Sequence, residues 1–285
     1  MKTVLMLWKP SSLLLTISRP RLIFAYARLL KVVIGVKVIT INKQVTEIND
    51  GTNITYDQEV LRKVIHFCSL IMPLAYAFVE LKWILSIIVP ITLLSMILDL
   101  ASKKNKHLKW LRDKLFGKML RPHERENKFT FNGATWVFIA ASLTFIIFPK
   151  VIAVTAFSIL IISDVAAALI GRKYGRIKIF ETKSVEGTMA FIVSAGIVVS
   201  LYALLFGAPL SFYYVGFVAA FVGGIVEAAS KKLKIDDNLT IPMSIGTVMW
   251  LGGLIADNAG QSFLNIAVNE KVQFVVDSLK TINFN

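Results

Sequence analysis

The sequence predicts an all-α fold, a polytopic bundle of about seven transmembrane helices with a cytoplasmic N-terminus. Three observations carry that expectation. Mean hydropathy is +0.66 and 55% of the 285 residues are hydrophobic, too apolar for a water-soluble chain of this length. Apolar runs of about 16–22 residues recur from residue 64 onward, near the length that crosses a hydrocarbon core. The cations are distributed unevenly between alternate loops. Ten Lys and Arg lie in 1–63, ten in 101–132, five in 172–186 and three in 230–239. The intervening loops and the C-terminal segment hold four, Lys82, Lys150, Lys271 and Lys280. This positive-inside bias places the N-terminus in the cytoplasm and, with seven spans, the C-terminus outside.

Residues 1–63 read as a basic cytoplasmic N-terminal region. Within it, 11–41 is apolar but carries Arg19, Arg21, Arg28, Lys31 and Lys37. Those charges are costly at the bilayer centre, so an interfacial helix is expected there rather than a span. Residues 42–59 read as a turn-rich exposed stretch. The membrane domain follows over 64–257, with spans near 64–79, 81–100, 133–148, 151–171, 187–206, 210–229 and 240–257. A C-terminal amphipathic tail occupies 258–285, with apolar positions at Phe263, Leu264, Ile266, Val268, Val272, Val275, Val276 and Leu279. Small residues recur every four positions, at Ala167, Gly171 and Gly175 and again at Gly216, Ala220, Gly224 and Ala228, a spacing that lets helix backbones approach closely. The net charge of +14 is accounted for largely by topology and attraction to anionic lipid, so no nucleic-acid partner is expected. Cys68 is the sole cysteine, which excludes an intrachain disulfide and any cysteine cluster for a metal.

Chemistry concentrates in Ser163–Gly187, SDVAAALIGRKYGRIKIFETKSVEG. It opens on the intramembrane carboxylate Asp164, two helical turns before Gly171 and on the same helix face. It then runs through Arg172, Lys173, Gly175, Arg176 and Lys178 to Lys183, Ser184 and Gly187. Acids within spans mark sites or pathways. Asp164 and Glu227 are read that way, whereas Asp99, followed by Lys103 and Lys104, suits an interfacial ion pair. Lys183 is the preferred phosphate ligand, since it precedes Ser184 and a helix opening near Gly187 whose amides favour anions. Gly175 and Gly187 lie at helix ends, where a ligand can approach the backbone. Asp236, Asp237 and Asn238 supply hard oxygen donors of the kind Mg²⁺ shares with a polyphosphate, or else form a turn capping the next helix. Arg62 and His66, four apart on one face, and Arg121 with Glu124 are further candidates for substrate or accessory roles on the same side of the membrane. No Walker-type or protein-kinase glycine loop is present.

Taken in order, RKVIH at 62–66, R-x-H-E at 121–124, D-x-A-A-x-x-x-G-R-x-x-G at 164–175, KSVEG at 183–187, Glu227 and IDDNLTIP at 235–242 form a set. In that set the chain resembles the polyprenol kinase family, which includes dolichol kinase, phytol kinase and the CTP-dependent diacylglycerol kinase. The resemblance covers most of 62–257. It implies transfer of the γ-phosphate of CTP to a lipid alcohol embedded in the bilayer, with Mg²⁺ or another divalent cation, at the cytoplasmic face of an integral membrane protein. The preference for cytidine comes from the resemblance alone. On this reading Asp236, Asp237 and Asn238 hold the metal, and Lys183 with Arg172 and Lys173 binds phosphate oxygens. Asp164 either orients and deprotonates the alcohol or completes the metal shell, with Glu227 the alternative base. Polyprenol, a phytol-like isoprenoid and diacylglycerol all remain open as the acceptor. Two other classes compete. A phosphatidate cytidylyltransferase shares the D-x-x-A…G-[RK]-x-x-G…K-[ST]-x-x-G layout, but its P-G-H-G-G segment followed by D-R is missing here and IDDN stands instead. A small-anion transporter would carry charge on both sides of its pathway, whereas the outer loops are nearly uncharged.

Overall fold

The computed structural model describes residues 39–40, 56–116, 131–179, 183–233 and 235–282. Almost all of them are helical. Beside the connecting turns there is a two-residue antiparallel ladder of β1 (Ile39–Thr40) with β2 (Ile177–Lys178). Ile39 and Thr40 therefore extend as strand, where an interfacial helix was expected to reach residue 41. The rest of that segment, 11–38, and most of the stretch 42–59 lie outside the described residues.

The helices among the described residues are α1 (Tyr56–Cys68), α2 (Ile71–Phe78), α3 (Leu81–Ser102), α4 (Lys106–Phe116), α5 (Gly133–Ile147), α6 (Lys150–Tyr174), α7 (Val185–Phe206), α8 (Leu210–Leu233), α9 (Asp237–Asn258) and α10 (Val268–Ile282). Helix begins at Tyr56, inside the stretch expected to be turns, and the expected divide at 63/64 falls within α1. Among the described residues six segments are long and apolar enough to cross a membrane, the first being α1 and α2 together over Val60–Phe78. The seventh expected span is α5, a shorter apolar helix. Large apolar side chains such as Leu94, Ile97, Ile197, Leu204 and Ile255 face outward, more than half exposed, as lipid-facing surface requires.

Helix α6 is central. Its apolar window is 78% buried, against 22–44% for the other five spanning segments, and it packs against α1, α2, α5, α7 and α9. The closest approach is to α7. A Cβ on Gly171 would stand 3.2 Å from the Gly187 Cα, and one on Gly187 would stand 3.0 Å from the Ala167 carbonyl oxygen. The second small-residue row does the same between α8 and α7, where Val199 fills the space over Gly216 and Ile192 the space over Gly224. With no hydrophobic drive between helices in lipid, such close contact is what holds a bundle together.

The ends of the bundle differ in chemistry. At one end Lys150 Nζ donates to the Val79 carbonyl at 2.6 Å and to Asn269, and lies 4.8 Å from the Tyr76 ring centre. Phe263 packs edge-on to Phe212 there, and Val268 is buried, so the tail is pinned to the bundle rather than merely lying on the membrane. At the other end Asp99 closes α3 onto α5. Its carboxylate accepts from Asn132 N at 2.8 Å, Asn132 Nδ2 at 2.7 Å and Thr135 Oγ1 at 2.8 Å. Asn132 in turn caps α5 by accepting from Thr135 N. Asp99 thus serves the start of a helix, where a lysine pair was the expectation. Arg112, fully buried on α4, donates to Ser102 Oγ at 3.2 Å and so ties α4 to the end of α3.

Two outcomes follow. With Cys68→Ser as background, Lys173→Cys and Lys271→Cys are expected to react with a membrane-impermeant thiol reagent from opposite sides; reaction from one side would overturn the arrangement. Asp99→Ala strips charge-assisted hydrogen bonds from the α5 terminus and is expected to cost about 3 kcal/mol. An unchanged unfolding midpoint in detergent would contradict that role.

Candidate functional site

Asp164 sits on α6 and is buried, as is Lys63 on α1, whose ammonium donates to Asp164 Oδ2. His66, one turn after Lys63 on the same helix, places Nε2 3.5 Å from the same oxygen. The chain can bring a cation and an imidazole to this depth because α1 is amphipathic, with the i, i+3 pair Lys63 and His66 on one face. The helix then stops: Ser69 and Leu70 turn, and Pro73 offers no amide to continue the ladder before α2. A buried carboxylate without a partner would be costly, and Lys63 offsets that cost.

The second half of the site is built on Lys183, between β2 and α7. Its ammonium pairs with Glu227 on α8 and lies 3.7 Å from Asp237 Oδ2 at the start of α9. Burial disfavours the ammonium, but Glu227, Asp237 and Asp164 together hold the Lys183 pKa above the ordinary lysine value. The sign is that of a cation gaining partners, so the stabilisation is complete below the ordinary lysine pKa and is lost only as pH rises beyond it. Lys183 is charged at any working pH. Asp164 and Lys183 interact electrostatically across the gap, which joins the two ion pairs into one centre.

A cavity of about 450 Å³ opens onto that centre. Arg62, Lys63, His66, Asp164, Asp237 and Asn238 line its polar end. Met72, Leu98, Val137 and Phe138 form apolar wall. Ile65, Ile91 and Leu94 also line it and are themselves exposed on the outer surface, so the cavity reaches the lipid-facing side between α1 and α3.

The expected residues therefore divide. Asp164, His66 and Arg62 meet in the cavity with Asp237 and Asn238, and Lys183 and Glu227 stand directly behind Asp237. Asp236 does not line it. Its Oδ1 accepts from Asn238 N at 3.0 Å and from Asn238 Nδ2 at 2.8 Å, capping α9 as an acid at that position can. Ser184 likewise caps α7, its Oγ accepting from Gly187 N at 3.2 Å. Gly175 and Gly187 are closely packed: a Cβ on Gly175 would stand 2.5 Å from Ser184 Oγ, and one on Gly187 3.0 Å from the Ala167 carbonyl oxygen. Arg172 and Lys173 end α6 on the exposed surface, outside the cavity. Arg121 and Glu124 lie outside the described residues. Lys63, part of the RKVIH run at 62–66, is the residue that meets Asp164. Its signal was an intramembrane cation one turn from His66, which must find an acid.

The donor set suits a shared metal better than a caged one. Among the described residues no group of three or more His, Cys, Asp and Glu is placed to hold an ion. Asp237 and Asn238, side by side at the cavity, match the one or two protein oxygens by which Mg²⁺ is held when phosphate oxygens supply the rest.

No protein-family model matches the chain, and no solved structure does. The uncharacterized protein RP860 of Rickettsia prowazekii is 34% identical over 197 residues, which cover 66% of this chain and 92% of that one. CTP-dependent diacylglycerol kinase 1 of Saccharomyces cerevisiae is 27% identical over 200 residues, covering 63% of this chain and 62% of the yeast protein. The Schizosaccharomyces pombe protein of the same name is 27% identical over 150 residues, 48% of this chain and 68% of that one. The match thus spans under two thirds of the S. cerevisiae protein. The chain belongs to the same family as the R. prowazekii protein, with the two yeast CTP-dependent diacylglycerol kinases as more distant homologues.

Proposed function

We propose that the chain is a membrane lipid kinase that transfers the γ-phosphate of CTP to the hydroxyl of a membrane-embedded lipid, at the cytoplasmic face. One observation carries the reading: a cavity apolar along its walls and open towards lipid ends on buried, alternating charges. A long-chain alcohol has that polarity, with hydrocarbon in the wall region and its hydroxyl at Asp164 and His66. The homology to CTP-dependent diacylglycerol kinases supports phosphoryl transfer and CTP as donor. The acceptor class in this proposal is a lipid alcohol, whether diacylglycerol, a phytol-like isoprenoid or a longer polyprenol.

Phosphoryl transfer asks for little covalent chemistry from the protein and much positioning and charge neutralisation. Lys183, held between Glu227 and Asp237, is set to exchange one of these carboxylates for a phosphate oxygen. Arg172 and Lys173, on the exposed rim, attract the polyanion before it enters. Asp237 and Asn238 would hold a divalent cation, which supplies neutralisation of charge on the phosphate oxygens. Lys63 keeps Asp164 in place, and Asp164 fixes the groups around the alcohol.

With CTP labelled at the γ position, label is expected in the lipid and CDP in solution. Label appearing only in pyrophosphate, with cytidine on the lipid, would instead make the chain a cytidylyltransferase. Asp237→Ala is expected to lower turnover by at least a hundredfold while the protein still inserts in the membrane, since it removes several kcal/mol of charge stabilisation. Lys183→Ala should match that loss and Lys183→Arg recover only part of it, because a guanidinium cannot place a point charge between Glu227 and Asp237. Wild-type rates in Asp237→Ala would move the phosphate site elsewhere.

A further inference from the structure

We infer that His66, and neither of the buried carboxylates, takes the proton from the lipid hydroxyl. The inference rests on the kinase reading above and assigns one role within that site. Both buried acids are already committed. Asp164 bears the Lys63 ammonium and Glu227 the Lys183 ammonium. A proton delivered to either would cancel the carboxylate charge that its lysine is paired with, whereas a proton taken by His66 leaves both ion pairs intact. His66 has no such commitment. Its Nε2 is buried and has no hydrogen-bond partner among the described residues, and it stands 3.5 Å from Asp164 Oδ2. The ring lines the cavity alongside Asp164, where the apolar wall gives way to charge.

The protonation state follows from the neighbours. A neutral imidazole has one N–H and one lone pair. A lone pair on Nε2 would face a carboxylate oxygen, so the hydrogen belongs on Nε2 and the lone pair on Nδ1. Asp164 then orients the ring, as a carboxylate orients the base of a nucleophile–base pair. The 3.5 Å separation is of the kind that tightens when substrate fills a site.

In the step itself, the hydroxyl oxygen forms a bond to the γ-phosphorus as the bond from that phosphorus to the β–γ bridging oxygen breaks. The hydroxyl proton passes to Nδ1, giving an imidazolium next to Asp164. The bridging oxygen leaves with its electron pair on CDP, and the imidazolium later returns its proton to water or to the departing CDP.

The test compares unaltered protein with His66→Gln and His66→Ala, using γ-labelled CTP and a soluble short-chain diacylglycerol and isoprenol in parallel, with CTP binding measured on each protein. His66→Gln is expected to lose about 10²- to 10⁴-fold in kcat, with KM for CTP within threefold of the unaltered value. Added imidazole is expected to restore part of kcat in His66→Ala, which a packing role would not allow. Retention of more than a third of kcat in His66→Gln overturns the assignment. So does a loss carried by KM, or a loss of CTP binding together with kcat. If the unaltered protein transfers label and the variants behave as stated, both readings stand. If it transfers label and the variants do not, the kinase reading survives without this role for His66. If it transfers none to either lipid, both fall.

Discussion

A carboxylate lies buried in the most enclosed helix of a membrane bundle, and the site is arranged around the need to neutralise it. Asp164 cannot stand alone at that depth, and the group that meets it, Lys63, arrives on the first span. That pairing fixes α1 beside α6 and so forms one wall of the cavity. The neighbouring pair, Lys183 with Glu227, joins the segment before α7 to α8 in the same way and draws Asp237 on α9 into range. Four helices and one connecting segment are registered against one another by opposite charges where apolar contact could not do it, because lipid is as apolar as the side chains.

Close helix packing and charge chemistry divide the labour within one short stretch of sequence. Gly171 and Gly187 let α6 and α7 meet backbone to backbone, and Ser184 caps α7 at that contact. Because the segment before α7 is thereby held rigidly, the adjacent Lys183 has a defined position between its acids. The glycines serve the site through geometry without touching it. The Asp236 cap acts likewise on α9, presenting Asp237 and Asn238 from the first turn of a helix rather than from a loop.

The fold was largely legible in the sequence because length and hydropathy decide it. Every expected span has a helix, down to the short one at α5. Less legible were local contacts, where one residue type can serve two ends. Gly175 and Gly187 look the same whether a phosphate or a helix is the neighbour, and only the packing partner tells them apart. Asp99 carried no mark of its role, since its partners Asn132 and Thr135 lie more than thirty residues away. The grouping of Asp164 with Glu227, Asp237 and Lys183 was readable as charges on one side of the membrane. Their pairing was not, because partner choice among several acids and cations depends on angstrom-scale placement that spacing does not carry. Arg62 and His66 share a helix face by their spacing. The residue between them, Lys63, proved to be the one that binds Asp164.

The interruption at Ser69–Leu70 divides the first span into two mechanically distinct halves. The outer half, α2, is clamped: Tyr76 stacks on Phe145, and the Val79 carbonyl is gripped by Lys150. The inner half, α1, carries Lys63 and His66 and is fastened to α6 through charge. An unbroken helix would couple any tilt of its inner end to the anchored outer end, but the turn uncouples them. Alignment of the cavity wall on this side is therefore set by the pairing of Lys63 with Asp164, and the clamp on α2 has no direct hold over it.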